Sequence, residues 1–491
     1  MRNYFLSIPI IFLIALFAVS CSEKAPVKPN ILFIAIDDLN DWVGCLNGHP
    51  QTKTPNIDRL AERGVLFTNA HCQAPICGPS RASIFTGLYP STTGNYLQLK
   101  DVDIKKANKA AMESILMPDY FKMNGYKTMA VGKLYHNGDA AQTFDEYGGK
   151  FSWMGPKPKE RINFDPAWMG VPNGTQTDWG VYPGIDSLMT DYKSAQWAVN
   201  KLGKNHEKPF FLAVGFLSPH VPWYASQKWF DMFPPDSLEM PPYNQNDFDD
   251  IPEMGAKIAE VPMMPTTEWL KERGQWKDVV QAYLACIAFM DHQVGKVLDA
   301  LENSPYADNT IIVLWSDHGY HIGEKNRFAK QALWQEDTRT PLMIKLPESK
   351  RASVCKAPVQ LIDMYPTLVD LCGLPKYESA DGHSLATLLE NPKTSWEHPA
   401  LSFYGVGNFA VTGEKFRLIQ YEDRSQEFYN LQNDPNEWNN LASDENLKEE
   451  KAKLEAYIPT TQASLSKYSS YNINNYFRQI IKNQRNELEA N

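Results

Sequence analysis

The chain has 491 residues, of which 43% are apolar and 22% charged, the composition of an ordinary globular protein with a sizeable core. Its formal net charge of −10 argues against the basic surface of a nucleic-acid-binding protein, so we expect no nucleic-acid partner. A chain of this length usually folds into more than one unit, although single large α/β domains are common.

The first residues predict an export signal. Arg2 is followed by a mostly apolar run over residues 4–19, which is too short and too terminal to favour a membrane span. Small residues precede Cys21, as at a bacterial lipoprotein cleavage site. We therefore expect a signal peptide over residues 1–20, a lipid on Cys21 and a polar tether over residues 21–28. The protein would then be exported to the periplasm or outer surface of a Gram-negative bacterium; a plain signal peptide cut nearby is the alternative.

Three apolar runs, at residues 29–38, 209–217 and 310–315, predict strands that are buried on both faces of a sheet. Residues 126–131 predict a further, short strand. Polar side chains stand at or just beyond their ends: Asp37 and Asp38, Lys133 and His136, His220, and Asp317 and His318. Parallel strands place their carboxyl ends at one edge of a sheet, so we expect these side chains to converge on one crevice. Each of them alone is more simply a hydrogen-bonded loop residue.

Helical patterns alternate with these strands. They lie at residues 54–64, 115–125, 187–202, 275–303 and 358–371, with a further strand at 341–346. Two stretches with weak periodicity, residues 137–186 and 227–265, are interpreted as long loops, the first of them lying over the site.

The pattern of apolar and polar residues changes near residue 400. Short alternating runs from there predict a small antiparallel sheet, followed by a charged helix at residues 447–465 and a tail from Asn472 without a clear fold signal. We therefore predict an α/β fold. A large mixed, mostly parallel sheet between helices would occupy residues 29–399, and a smaller C-terminal α+β unit on an antiparallel sheet would occupy residues 400–491.

Residues 77–87 predict a short helix that begins at a cysteine. Pro79 suits the first turn of a helix, and Gly87 can end it. Cys77 would lie at the helix N-terminus, where free N–H groups favour an anion, and Arg81 would add a forked donor facing the same way. This stretch alone is equally consistent with a site that grips an oxyanion and with a structural cysteine of low pKa.

Cys-Gly-Pro-Ser-Arg at residues 77–81, followed by Thr86-Gly87, resembles the signature of the type I sulfatases, a family of the alkaline phosphatase superfamily. Residues 125–133 resemble its second signature, Gly-Tyr-x-Thr-x-x-x-Gly-Lys. Asp-His-Gly at residues 317–319 resembles the iduronate-2-sulfatase-like branch, and the match extends over about residues 29–441. The family's large α/β domain and smaller C-terminal domain on an antiparallel sheet agree with the fold predicted above.

The resemblance implies that a maturation enzyme oxidises Cys77 to formylglycine (3-oxoalanine), whose hydrate has two hydroxyl groups. One hydroxyl would attack sulfur and expel the alcohol; the other would then lose its proton, so that sulfate leaves without attack by water. Asp37, Asp38 and Asp317 are hard oxygen ligands that suit Ca²⁺, with Mg²⁺ as competitor. The resemblance favours one calcium ion that bridges residue 77 and the sulfate. His318 is then a neighbour or a ligand of that ion, although imidazole is a poor calcium ligand.

The remaining site residues are predicted to neutralise the negative charge of the sulfate ester or to transfer protons. Arg81, Lys133 and Lys330 are predicted, together with the ion, to neutralise that charge. His220 and Lys330 are the candidates for protonating the leaving alcohol, and His136 is the candidate base that frees sulfate.

The predicted function is therefore hydrolysis of a sulfate monoester on a sulfated carbohydrate. A 2-O-sulfated uronic acid of glycosaminoglycan type is the first expectation, and an algal polysaccharide or another sulfated sugar follows closely. The alternatives are a phosphonate or phosphodiester hydrolase on the same scaffold, and a glycan-binding lipoprotein without catalysis.

Overall fold

The structure is a computed structural model that describes residues 28–137, 142–149, 153–168, 177–347, 349 and 351–490. The predicted signal peptide, Cys21 and all of the predicted tether except Lys28 lie outside the described residues. Within the described ranges, no helix combines the length and apolar character that a membrane crossing requires.

The strands and helices of the described chain are as follows. The strands are β1 (Asn30–Ile36), β2 (Val65–Phe67), β3 (Ala70–His71), β4 (Gln98–Leu99), β5 (Lys127–Gly132), β6 (Glu146–Tyr147), β7 (Trp179–Val181), β8 (Phe210–Phe216), β9 (Trp223–Ala225), β10 (Thr310–Ser316), β11 (Leu342–Lys345), β12 (Ser353–Cys355), β13 (Val359–Gln360), β14 (Ala400–Phe403), β15 (Phe409–Thr412), β16 (Phe416–Gln420), β17 (Gln426–Asn430) and β18 (Ser469–Tyr471). The α-helices are α1 (Pro55–Ala61), α2 (Cys77–Thr86), α3 (Pro90–Thr93), α4 (Lys109–Glu113), α5 (Met117–Met123), α6 (Thr190–Leu202), α7 (Gln227–Phe230), α8 (Glu253–Ala259), α9 (Thr267–Glu272), α10 (Trp276–Glu302), α11 (Gln335–Thr338), α12 (Met364–Leu371), α13 (Ala386–Glu390), α14 (Lys448–Glu455) and α15 (Asn475–Ala490).

The main sheet has the strand order β12-β2-β11-β10-β1-β8-β5-β6. Its centre, β10-β1-β8-β5, is parallel throughout, and β11 pairs antiparallel with both β10 and β2. The predicted mixed, mostly parallel sheet is therefore confirmed.

Helices cover both faces of this sheet, which explains why β1 is buried at every position and apolar from Ile31 to Ile36. Leu32, Ile34 and Ile36 pack into the core cluster that contains α10 and α6. Ile31 and Phe33 pack on the other face, in the cluster that contains α2, α5 and α12. Successive strand residues point to opposite faces, so both sets are buried.

A second sheet follows in the C-terminal part of the chain. β14, β15, β16 and β17 pair in order, each antiparallel to the next, which confirms the predicted antiparallel sheet. Its apolar face packs in one cluster with Trp334 and Tyr96, which precede it in the chain, and with Phe477 from α15.

Three predictions about local structure were wrong. The charged helix ends at Glu455 rather than near residue 465, because Pro459 cannot continue a helix. The tail from Asn472 is not featureless, because it contains α15, which buries Phe477 and Ile481, one helical turn apart. Finally, the two stretches interpreted as long loops contain regular elements: β6 and β7 lie within residues 137–186, and α7 and α8 within residues 227–265.

Candidate active site

The four central parallel strands bring the predicted polar residues to one edge of the sheet. Asp37 and Asp38 follow β1, Lys133 and His136 follow β5, His220 follows β8, and Asp317 and His318 follow β10. Because β10, β1, β8 and β5 are neighbours in that order, their carboxyl ends meet, as the sequence predicted.

Cys77 begins α2 and faces this edge. The helix ends as predicted, at Gly87, whose φ of 74° is the left-handed conformation that favours glycine. The Cys77 Sγ lies 3.3 Å from Nε2 of His318, 3.3 Å from Nζ of Lys330 and 3.8 Å from Nζ of Lys133. Burial alone would raise the pKa of the thiol, but the charges of Lys133 and Lys330 hold it well below its ordinary value. Residue 77 therefore lies in a buried, electropositive position.

Each of these lysines is also paired with an aspartate. The ammonium of Lys133 donates to Oδ2 of Asp37, and the ammonium of Lys330 donates to Oδ1 of Asp38. Burial opposes the charge of both lysines, yet the aspartates raise the pKa of each above its ordinary value. Both ammonium groups therefore keep their positive charge next to residue 77.

Arg81 is fully buried, and its donors are largely taken by the protein. Nε donates to Oδ2 of Asp317 at 2.8 Å, and Nη2 to Oδ1 of Asp37 at 3.4 Å. Nη1 donates to the carbonyls of Lys133 and Leu134 at 2.7 and 2.9 Å. The guanidinium thus holds two site carboxylates and the end of β5 in place, a geometry that differs from the predicted donor to the sulfate.

The donor set at this edge fits a divalent cation. Ligand atoms of Asp37, Cys77, Asp317 and His318 lie within 4.8 Å of one another. Oδ2 of Asp38 is buried without a hydrogen-bond partner, and a buried carboxylate oxygen without a partner is costly. Asp38 also has a φ of 60°, an uncommon conformation that turns its side chain at the end of β1. A hard cation would satisfy this oxygen.

The ring of His318 is oriented by its backbone. Nδ1 lies 2.9 Å from the carbonyl of Gly319, so Nδ1 carries the proton in the neutral ring and Nε2 carries the lone pair. Nε2 faces Oδ1 of Asp38 at 3.4 Å and Oδ1 of Asp317 at 3.6 Å. Nε2 thus faces two of the carboxylates that are predicted to hold the ion.

The two remaining histidines contact different groups of the site. His220 donates from Nδ1 to the carbonyl of Val221 at 2.6 Å, and its Nε2 lies 3.9 Å from the unpartnered Oδ2 of Asp38. His136 contributes to lowering the pKa of the Cys77 thiol, and its ring lies against the side-chain amide of Gln98. Every predicted site residue is thus brought to one place.

Two residues that support the site were not predicted. Gln98 accepts the N–H of Gly78 at 2.9 Å through Oε1, and its amide nitrogen lies 2.8 Å from Nδ1 of His136. A Cβ on Gly78 would lie 2.2 Å from this oxygen, so a larger residue at position 78 would displace the Gln98 side chain. Asp191, in the first turn of α6, accepts two backbone N–H groups at the end of β8. Neither residue belongs to a motif, so no local signal could have identified them.

Comparisons with known proteins agree with this geometry. A family model described as Sulfatase matches residues 29–374, and one described as N-sulphoglucosamine sulphohydrolase, C-terminal, matches residues 323–464. A sulfatase of Formosa agariphila is 46% identical over 461 residues, which cover 93% of this chain and 91% of that protein. Iduronate 2-sulfatase of Mus musculus is 32% identical over 413 residues, covering 74% and 72%.

The fold is also similar to that of solved structures. One of them, a protein in complex with its substrate D-glucosamine-2-N,6-O-disulfate, gives a TM-score of 0.69 at 22% sequence identity. The match covers 87% of this chain and 96% of that one. At this level of identity the comparison shows the fold alone.

Proposed function

This chain belongs to the sulfatase family and is a sulfuric ester hydrolase, and from that premise we propose that it removes sulfate from a sulfated glycan with a nucleophile made from Cys77. The observation that carries the proposal is the position of the Cys77 Sγ. Two ammonium groups and an imidazole lie within 3.8 Å of it, at the edge where three carboxylates meet. This is the charge distribution that an anionic ester attacked at sulfur requires.

The family implies a formylglycine and a metal ion. The hydrated aldehyde made from Cys77 would supply one hydroxyl as nucleophile and a second through which sulfate is released. Asp37, Asp38 and Asp317 would hold the ion, with His318 as neighbour or ligand, and we propose calcium because the ligands are hard oxygens. When bound, the ion would withdraw electron density from the sulfate oxygens as a Lewis acid.

The protein's own residues divide the remaining work. Lys133 and Lys330 would offset the negative charge of the ester, since both stay cationic. Because the ammonium of Lys330 is already engaged by Asp38, we assign protonation of the leaving alcohol to the imidazolium form of His220, which would give up the proton on Nε2. Arg81 would keep Asp37 and Asp317 in position, and His136 would take the proton that frees sulfate.

The proposed substrate is a 2-O-sulfated uronic acid. It is supported by the 32% identity with mouse iduronate 2-sulfatase over 74% of this chain. The test is ion chromatography of the sulfate released from pairs of oligosaccharides that differ in one sulfate: 2-O on the uronic acid, 6-O or N on the glucosamine, and sulfated algal oligosaccharides. We expect release from the 2-O-sulfated member; release confined to another pair would replace this substrate.

The nucleophile is tested in the same assay with Cys77→Ala, which should fold and release no sulfate. The tryptic peptide of residues 64–81 contains both Cys72 and Cys77. Alkylation of the denatured protein should therefore label one cysteine in the mature protein and two in an unmatured one, as read by mass spectrometry. Sulfate release by Cys77→Ala would contradict the mechanism. Faster hydrolysis of phosphonate or phosphate diesters than of sulfate esters would favour the other hydrolase activity.

Export, the lipid on Cys21 and a host maturation enzyme belong to the same proposal. Cys21→Ala should move the protein from the membrane fraction to the soluble fraction of the producing cell. Unchanged membrane association of this variant would contradict lipid attachment.

A further inference from the structure

Asp191 is a fully buried carboxylate that fastens the chain where it leaves β8. Oδ1 accepts the N–H of Leu217 at 2.7 Å, and Oδ2 accepts the N–H of Ser218 at 2.8 Å. Both oxygens are therefore used on consecutive residues of the segment that leads to His220. Asparagine, which has the same size, could not replace it, because its side-chain amide has one acceptor oxygen where a carboxylate has two.

This hydrogen bonding continues to the catalytic candidate. The carbonyl of Leu217 accepts the N–H of His220 at 2.8 Å, so Asp191 and His220 hold the two sides of one short turn. His220 then donates from Nδ1 to Val221. The ring is thereby turned so that Nε2 lies 3.9 Å from Oδ2 of Asp38.

The same turn of α6 lies against the neighbouring strand. A Cβ on Gly132, the last residue of β5, would lie 2.0 Å from the carbonyl oxygen of Gly215 and 2.8 Å from Oγ of Ser194. A Cβ on Gly215 would lie 2.2 Å from the carbonyl oxygen of Lys133. The ends of β5 and β8 and the first turn of α6 are therefore packed too closely to shift independently, and Asp191 cannot move without moving the His220 segment.

We propose that Asp191 is a positioning residue that aims His220 at the leaving oxygen of the substrate. This inference rests on the proposed function, in which His220 protonates the alcohol. In Asp191→Asn, one backbone N–H would face an amide N–H instead of an acceptor, so the turn would rearrange and Nε2 would leave its place. A misplacement of about 1 Å in a catalytic group can reduce turnover by roughly 100-fold.

The test compares two esters with different leaving groups. The hydroxyl oxygen of a sugar is a poor leaving group and needs a proton as it leaves, whereas 4-nitrophenolate is stable as an anion. We expect Asp191→Asn to lower kcat for the sulfated sugar by roughly 100-fold and for 4-nitrophenyl sulfate by less than about threefold. KM should change little for either, because Asp191 does not contact the substrate. In the His220→Ala background, Asp191→Asn should cause almost no further loss, because both changes remove the same proton transfer.

Asp291 provides a matched control. It is also buried, burial raises its pKa to about 6 as it does that of Asp191, and its carboxylate accepts the backbone N–H groups of Asn56 and Ile57. It lies on α10 and anchors the start of α1, away from His220. Asp291→Asn should lower the melting temperature by a similar amount and leave the ratio of the two kcat values unchanged.

Equal losses on the two esters, or losses that multiply with those of His220→Ala, would overturn the inference. If Asp191→Asn does not fold, Asp191→Glu, which keeps both acceptors but displaces them by one methylene, is judged by the same ratio. A wild-type protein that releases no sulfate from any ester would overturn the proposed function itself. An active wild type with Asp191→Asn behaving like Asp291→Asn would overturn only the role of Asp191.

Discussion

Replacing Arg81 by methionine separates two roles for this residue. Methionine keeps much of the side-chain volume but removes the donors to Asp317, Asp37 and the carbonyls of Lys133 and Leu134. Breaking a buried ion pair by removing one partner costs about 3–5 kcal/mol, and each buried acceptor left unpaired costs about 1–3 kcal/mol. These terms overlap as the site relaxes, so we expect Arg81→Met to lower the free energy of unfolding by about 4 kcal/mol or more.

The assay is urea unfolding followed by tryptophan fluorescence, with Arg417→Met as the matched control. Arg417 is also fully buried, donates to Thr338 at 2.7 Å and lies 3.2 Å from Glu437, but it belongs to the C-terminal sheet. Both variants should lose stability to a similar extent, and only Arg81→Met should also lose turnover. A loss below about 1 kcal/mol in Arg81→Met, with a raised KM, would refute the structural role and restore Arg81 as a direct donor to the sulfate.

Three further predictions concern the ion, Gln98 and pH. Chelation of divalent ions should lower the melting temperature, since three buried carboxylates lose a counter-charge, and Ca²⁺ should restore it; a melting temperature insensitive to both would contradict the ion site. Gln98→Leu should lower kcat about 10-fold or more, because it removes the hydrogen bonds of Gln98 to His136 and to the N–H of Gly78. The control is Gln293→Leu in α10, which should lower only stability. Equal kcat values in the two variants would contradict this role of Gln98. Burial raises the pKa of Asp363 to about 7, so the folded protein keeps a proton that the unfolded chain loses above its ordinary pKa of 3.8. The contribution of Asp363 to the free energy of unfolding should therefore fall by about 4 kcal/mol as pH rises from about 4 to about 7. The urea midpoints of Asp363→Asn should lack this part of the pH dependence, and pH profiles parallel to those of the wild type would contradict it.

The parts of the fold that sequence could predict are those with a short-range signal. Residues 31–36 and 311–315 are continuous apolar runs, which is typical of strands covered on both faces. Once the strands are parallel, the polar residues at their carboxyl ends must share an edge, so Asp37 and His220 could be placed together although they are far apart in the chain. The start of α2 at Cys77 and its end at Gly87 follow from local preferences in the same way.

The acceptor that each hydrogen-bond donor of the site binds could not be predicted, because it depends on which groups face each other after folding. Arg81 was expected to face the sulfate of the substrate, and instead it faces the carboxylates of Asp317 and Asp37. A guanidinium forms equally good hydrogen bonds with sulfate and with carboxylate, so residue type does not distinguish the two partners. Burial does: with its side chain 1% exposed, Arg81 faces protein groups on all sides.

The predicted boundary between two units near residue 400 was affected in the same way, because contacts between residues far apart in the chain cannot be predicted from local patterns. The short alternating runs from residue 400 suggested that a separate unit begins there, yet β18 and the start of the tail contact residues that support the site. Ser470 in β18 donates to the carbonyl of Gln98, which holds Gly78 next to Cys77. The hydroxyl of Tyr404 contacts both Asn472 and Gln331, the residue after Lys330. Pairing between β18 and β4 has no local signal, because the partners lie more than 350 residues apart in the sequence. The C-terminal unit therefore forms part of the support of the active site, and variants of β18 should reduce turnover before they unfold the main sheet.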